Sequence, residues 1–249
     1  DDTRVILYGR ASMQRATRFW WMLRWLGFDN AAVLDGGMDK WEAEGRPVSD
    51  APCTYAPTGG LTIRPRPEIF VGKDAVVSAM NDAGVCTVNA LTEKLHSGED
   101  GRYGRAGRIP GSVNVPAASL VNSDMTHLAA DQAQRLFDAV GATPDKKVIV
   151  YCGGGIAASL DAFLLYQLGY ENVAVYDASL SEWSAAKTGA IGCTPIRRCC
   201  CIHASSAIRL RHCATKAARC SSTRSEGPTC ARRARSRWSP SPTRPPSRS

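Results

Sequence analysis

Two stretches of the chain carry the same order of apolar and polar positions. VILYGRASMQRATRFWWMLRWLGFDNAAVLDGGMDKW, residues 5–41, aligns with VIVYCGGGIAASLDAFLLYQLGYENVAVYDASLSEW, residues 148–183, across a one-residue gap. Each copy opens on a short apolar run, 5–8 or 148–151, with the length and composition of a buried strand. Apolar side chains then recur at three- and four-residue spacing, the mark of a helix with one core-facing stripe. They are Met13, Ala16, Phe19, Trp20, Leu23 and Leu26 in the first copy, and Ile156, Leu160, Phe163, Leu164 and Leu168 in the second. A Leu-Gly-aromatic turn follows, in which Gly27 and Gly169 are natural helix C-caps. A second strand ending in Asp35 or Asp177 comes next, then a short helix bearing Trp41 or Trp183. Strand, helix and strand joined this tightly make a βαβ unit, so the sheet is expected to be parallel with helices on both faces.

Ahead of the second copy the pattern predicts a helix including 76–81, strands at 85–88 and 112–115, and a helix over 131–140. The first copy has no counterpart of these elements. The expected organisation is therefore the C-terminal half of one α/β domain (1–48), a linker rich in Pro and Gly (49–70), a complete α/β domain (71–192) and a tail (193–249). On this reading the chain is a fragment, and Trp20, Trp21 and Trp25 of the half domain are expected to leave an exposed apolar patch.

Composition refines the picture. With 44% hydrophobic and 22% charged residues the chain is globular rather than disordered throughout. Its greasiest stretch, 19–26, is interrupted by Arg24, which excludes a membrane span, and no cleavable signal is visible. A net charge of +8 would suggest nucleic acid, but the charge is not where the fold is. Residues 193–249 hold twelve Arg and one Lys against Glu226, a charge of +12, so residues 1–192 carry −4. Neither nucleic acid nor a membrane is an expected partner.

The tail also holds seven of the ten cysteines, irregularly spaced and without a Cys-x-x-Cys pair, which argues against a metal site or a disulfide framework. It lacks apolar periodicity and cannot bury enough surface to fold alone. Its abrupt turn to Arg, Ser, Pro, Ala and Cys is read as a solvated tail or a shifted reading frame in a GC-rich gene. Only Cys53, Cys86 and Cys152 remain in the body, in keeping with a reducing cytoplasm.

The chemistry concentrates at Tyr151-Cys152-Gly153-Gly154-Gly155-Ile156-Ala157-Ala158, a Cys ending a strand followed by glycines that open a helix. Ligands of open α/β sheets bind at this carboxyl edge. Loop and helix N–H groups converge there on an anion, and the same dipoles favour thiolate over thiol, making the sulfur a nucleophile. The plain alternative is an inert buried Cys before an ordinary βα turn. A tyrosine-phosphatase loop would need Arg where Ala158 stands. A dinucleotide fingerprint is met formally by Gly153, Gly155 and Ala158 with Asp177 beyond, but no strands follow it in the domain. Sulfur transfer through a Cys152 persulfide is the third possibility.

In order along residues 1–192, the segments LDGGMDKW, GRIPGSVNVP (107–116) and CGGGIAA resemble the rhodanese-like two-domain thiosulfate and 3-mercaptopyruvate sulfurtransferases. That resemblance implies a rhodanese-like parallel-sheet domain with helices on both faces, preceded by the second half of an inactive one; Gly9 or its neighbour occupies the Cys position of the first copy. It implies a double displacement in which Cys152 takes sulfane sulfur from a small anionic donor and passes it to a thiophilic acceptor, cyanide or a thiol. Gly153, Gly154, Gly155, Ile156 and Ala157 would cradle the outer sulfur, without metal or organic cofactor. Gly153 resembles the mercaptopyruvate group, but Gly154 replaces its usual Ser; Asn89-Ala90-Leu91 replaces the usual Asp-x-Arg; and Arg108 replaces the His of Gly-His-Ile-Pro-Gly. Arg105 and Arg108, with Tyr103 behind them, are the candidates for holding the donor, the other possibility being a solvated basic loop. A non-catalytic sulfur carrier or regulatory module is the alternative function. Sequencing the encoding DNA tests the origin of the tail: a shifted frame predicts that one of the other two frames continues plausibly past codon 192, and the absence of any such continuation overturns it.

Overall fold

Strand-forming runs and the glycines that stop their helices place the elements where the repeat predicts them. The computed structural model describes residues 3–54 and 60–185, all of them within one unit spanning 1–198. The tail at 193–249 lies outside the described residues. In the first copy β1 (Val5–Leu7) and β2 (Ala31–Val33) pair in parallel around α1 (Gln14–Trp25), and α2 (Gly37–Ala43) follows. The rest of the described chain runs β3 (Phe70–Val71), α3 (Lys73–Ala79), β4 (Val85–Asn89), α4 (Glu93–Ser97), β5 (Val113–Asn114), α5 (Ala130–Ala139), β6 (Lys147–Tyr151), α6 (Ile156–Gln167), β7 (Val173–Tyr176) and α7 (Ser179–Ala185). Its five strands form one all-parallel sheet in the order β3-β7-β6-β4-β5. β6 sits at the centre, and β7 is buried at every residue, as a sheet covered on both faces requires.

Both long helices of the repeat end alike. Gly27 and Gly169 each adopt φ +86°, and the following aromatic amide donates back into the last turn, Phe28 to the Leu23 carbonyl at 2.9 Å and Tyr170 to that of Leu165 at 3.0 Å. This closure needs a left-handed residue, which glycine supplies without a Cβ clash. The sequence pattern does not reveal the short β3 or α4, both too brief to show a period.

The tryptophans of the half domain are not an exposed patch. Trp21 is 1% exposed and its indole N–H donates to the Ile69 carbonyl at 3.1 Å. Trp20 meets Phe163 of α6 edge-on with ring centres 4.9 Å apart, and Trp25 packs against Phe70. The helix α1 thus lies along α6, and the exposed apolar side chains of the described residues 3–48 are others: Ile6, Tyr8, Phe19, Met22 and Val48. Arg64 and Arg66 of the expected linker are tied to the end of α1 by hydrogen bonds from their amides to the Leu26 and Trp25 carbonyls, and Arg66 pairs with Asp29. At the other end Lys40 pairs with Asp124 and Asp35 with His127.

Because α6 is pressed between the sheet and α1, nearly its whole circumference is apolar, and Asp161 in its middle is fully buried with neither carboxylate oxygen hydrogen-bonded among the described residues. Burial pushes this carboxyl well above the usual range, which favours its neutral form. A raised folded value means that the native state holds a proton the unfolded chain releases above about pH 4, so Asp161 costs increasing stability as pH rises from there toward its folded value. Asp161→Ala is expected to stabilise the protein in urea denaturation at pH 7 by about 1–3 kcal/mol, with a smaller gain at pH 4; a gain independent of pH would contradict the buried neutral acid.

Candidate active site

The end of β6 delivers Cys152 to the carboxyl edge of the sheet, 3% exposed. Two neighbours fix its backbone. The Cys152 amide donates to the Ser179 hydroxyl at 3.0 Å, which itself donates to the Tyr176 carbonyl at 2.7 Å; the Cys152 carbonyl accepts the Leu180 amide at 3.1 Å. Ser179 opens α7 with φ +51°, a left-handed backbone that a non-glycine residue adopts only at a cost. Its equivalent in the first copy is Gly37, with φ +58° and the same backbone bond beyond it, from the Met38 amide to the Gly9 carbonyl at 2.9 Å. Where the first copy uses glycine, the second accepts strain in exchange for a hydroxyl that satisfies the buried amide of Cys152.

Two of the three glycines are required, each for a different reason, and the third is not. A Cβ on Gly153 would fall inside the Tyr103 ring, which lies directly over that residue. Gly155 has φ +78° and touches the Asp177 carbonyl and carboxylate, each of which would be 2.7 Å from a Cβ. Gly154 is exposed and faces open space, with nothing within 4 Å of a built Cβ. Gly155 caps α6 without any side-chain cap, so Ile156 and Ala157 at its first turn present backbone N–H groups on the same side as the loop. In the first copy a side chain at Gly9 would run into the Ser12 carbonyl, so that loop has no room for a cysteine.

Arg105 and Arg108 stand on the loop that carries Tyr103. Arg105 donates to the last carbonyls of α7, Ser184 at 3.0 Å and Trp183 at 3.3 Å, and Ser184 donates its hydroxyl to the Tyr103 carbonyl, so these contacts clamp the loop down over Gly153. Arg108 donates to the His96 carbonyl at 3.3 Å. Beneath them lies a polar network that sequence reading did not reveal. The Tyr151 hydroxyl accepts the Ile109 amide and bonds Ser112 at 2.7 Å, and Asn89, wholly buried, shares 3.1 Å with His96 Nδ1. Burial, aided by the Arg108 charge, brings His96 down to about 4, so its ring is neutral at pH 7. Leu91, in place of the Arg expected from the resemblance, is buried. Asp177, the acid a dinucleotide site would turn to a ribose, pairs with Arg18 at 2.6 Å. Among the described residues no group of three or more His, Cys, Asp or Glu side chains could hold a metal.

A parallel sheet with a cysteine loop at its central carboxyl edge is the fold of a known family. A rhodanese-like domain model matches residues 1–44 and 96–186. The chain is 31% identical over 205 residues to thiosulfate/3-mercaptopyruvate sulfurtransferase 2 of Arabidopsis thaliana, covering 73% of this chain and 60% of that protein. It is 32% identical over 197 residues to the sulfur carrier protein TtuD of Thermus thermophilus, covering 74% and 68%. A structure of an EanB variant with ergothioneine covalently linked to a persulfide cysteine superposes with a TM-score of 0.71 at 25% identity, over 78% of this chain and 52% of that one. The chain belongs to the rhodanese-like family and spans about 60–68% of the length of these two curated relatives.

Signals for the residues missed were present but silent without geometry. Ser179 stands out only when the copies are aligned and it falls opposite Gly37. Two variants test its role by urea denaturation: Ser179→Ala keeps the strained backbone and orphans the Cys152 amide, at an expected cost of about 1–3 kcal/mol, whereas Ser179→Gly relieves the strain and is expected to cost about 1 kcal/mol less.

Proposed function

We propose that the chain is the catalytic part of a sulfurtransferase that carries sulfane sulfur on Cys152. The observation that carries this reading is the placement of one cysteine at the central strand's carboxyl end, its amide fixed by Ser179, beside the open space over Gly154 and the first N–H groups of α6. With thiosulfate, the Cys152 thiolate attacks the outer sulfur, the S–S bond breaks and sulfite leaves with the electron pair. With 3-mercaptopyruvate, the C–S bond breaks and the carbanion of pyruvate leaves, to be protonated by solvent. Cyanide or a thiolate then attacks the outer sulfur of the persulfide, leaving as thiocyanate or a new persulfide and returning the Cys152 thiolate. The N–H groups of residues 153–157 stabilise the persulfide anion, and Arg105 and Arg108 supply the positive field for the donor. A reducing compartment, the cytoplasm, keeps Cys152 from oxidation between turnovers.

Leu91 favours a second reading, since a buried Leu offers no charge to a donor anion: a module that receives and passes sulfur as a carrier, as the name of the Thermus relative says of that protein. Incubation with each donor and cyanide, followed by thiocyanate detection and intact mass, separates the two. Catalysis predicts thiocyanate turnover that falls by roughly 10³-fold or more in Cys152→Ser, together with a mass gain of one sulfur atom in the wild type. A mass gain without turnover supports the carrier. Activity that survives in Cys152→Ser removes Cys152 from the reaction.

A further inference from the structure

The first copy has no nucleophile, yet it reaches the loop of the second. Arg18, on α1, crosses to the carboxyl edge of the complete domain, where its guanidinium pairs with Asp177 Oδ1 at 2.6 Å and lies over the Phe70 ring, 4.9 Å from its centre. A third contact goes from the same Nη1 to the Gly155 carbonyl, at 3.5 Å. A Cβ on Gly155 would sit 2.7 Å from the Asp177 carboxylate and 2.9 Å from Arg18 Nη1, so the pair closes the end of the Cys152 loop. The position of Arg18 is set by packing: Trp21, one turn further along α1, is buried to 1% exposure and anchored on Ile69.

The arrangement places a carboxylate against the loop that should hold an anion. Asp177 and the N-terminus of α6 attract one another for the same reason that the N-terminus attracts an anionic ligand. Gly155 is three residues from Cys152, at most about 11 Å along the Cα path; that exceeds the Debye length of about 8 Å in solvent, so the coupling runs through the protein side of the loop, where Cys152 is 3% exposed and charges are screened much less. An unpaired Asp177 would therefore oppose both a thiolate on Cys152 and a negatively charged donor.

We propose that Arg18 is a positioning residue contributed by the inactive copy: it neutralises Asp177 and pins Gly155, and so keeps the Cys152 loop receptive to anions. The donor part of this inference rests on the sulfurtransferase reading; the thiolate part does not. The test uses the full chain and its Arg18→Ala, Asp177→Asn and double variants, with two readouts. The first, the pH midpoint of iodoacetamide alkylation of Cys152, needs no sulfur donor. It is expected to rise by about half a pH unit in Arg18→Ala, to fall or stay level in Asp177→Asn, and to return toward wild type in the double variant. The second, thiosulfate kinetics with cyanide, is expected to show KM raised about 3–10-fold in Arg18→Ala with kcat changed less, and KM recovered when Asp177→Asn is added. A variant that merely loosened the fold would not be rescued by removing a second partner of the pair. An unchanged midpoint in Arg18→Ala, or a double variant no better than Arg18→Ala, overturns the proposal. Absence of turnover in the wild type overturns the sulfurtransferase reading alone, and the alkylation midpoints then still decide the role of Arg18.

Discussion

A helix that is apolar around nearly its whole circumference needs cover on two sides, and α6 is that helix. The sheet covers one side, and α1 from the first copy covers the other with Trp20 set against Phe163 and Tyr166. This contact joins the first copy of the repeat to the helix layer of the five-stranded sheet. Burying a side chain as large as Trp21 contributes a few kcal/mol, enough to outweigh the modest ion pairs at the rim of the contact. The same helix begins at Gly155, so whatever fixes α6 also fixes the loop in front of it. Packing and chemistry are thereby joined in one element.

The two copies show how one backbone plan serves two ends. The first keeps the strand, helix and strand and the bond from the turn amide to the loop carbonyl, but its loop is closed by the Ser12 carbonyl over Gly9. The second opens the loop with three glycines, puts sulfur where Gly9 stands, and replaces the easy glycine of the turn with Ser179. The first copy retains a packing role and, through Arg18, an electrostatic one.

Much of this was legible in the sequence because it is periodic. The repeat, the helix ends at Gly27 and Gly169 and the cysteine at a strand end all follow from spacing and residue type. What sequence reading missed is what spacing does not encode. The fate of the tryptophans depends on which helix lies opposite, and no local pattern names α6 as the partner of α1. The sequence offers Tyr103 as a companion of Arg105 and Arg108 at the donor, and gives no sign that its ring fills the place a Cβ of Gly153 would take. Arg18 reads as a surface charge beside two tryptophans, although its partner is more than a hundred residues away. Asn89, Tyr151 and Ser112 are scattered along the chain and meet only because parallel strands end together.

The bond between Ser179 and the Cys152 amide also bears on how the protein is made. Synthesis runs from the N-terminus, and domains fold as their last elements emerge. The cysteine leaves the ribosome well before residues 176–185, yet its amide has no acceptor, and its carbonyl no donor, until the turn into α7 has been made. Until then the loop lacks both bonds, and it acquires them only with the turn from β7 into α7. Between the synthesis of Cys152 and that of Leu180 the nascent chain lacks the two bonds that fix the backbone of the cysteine.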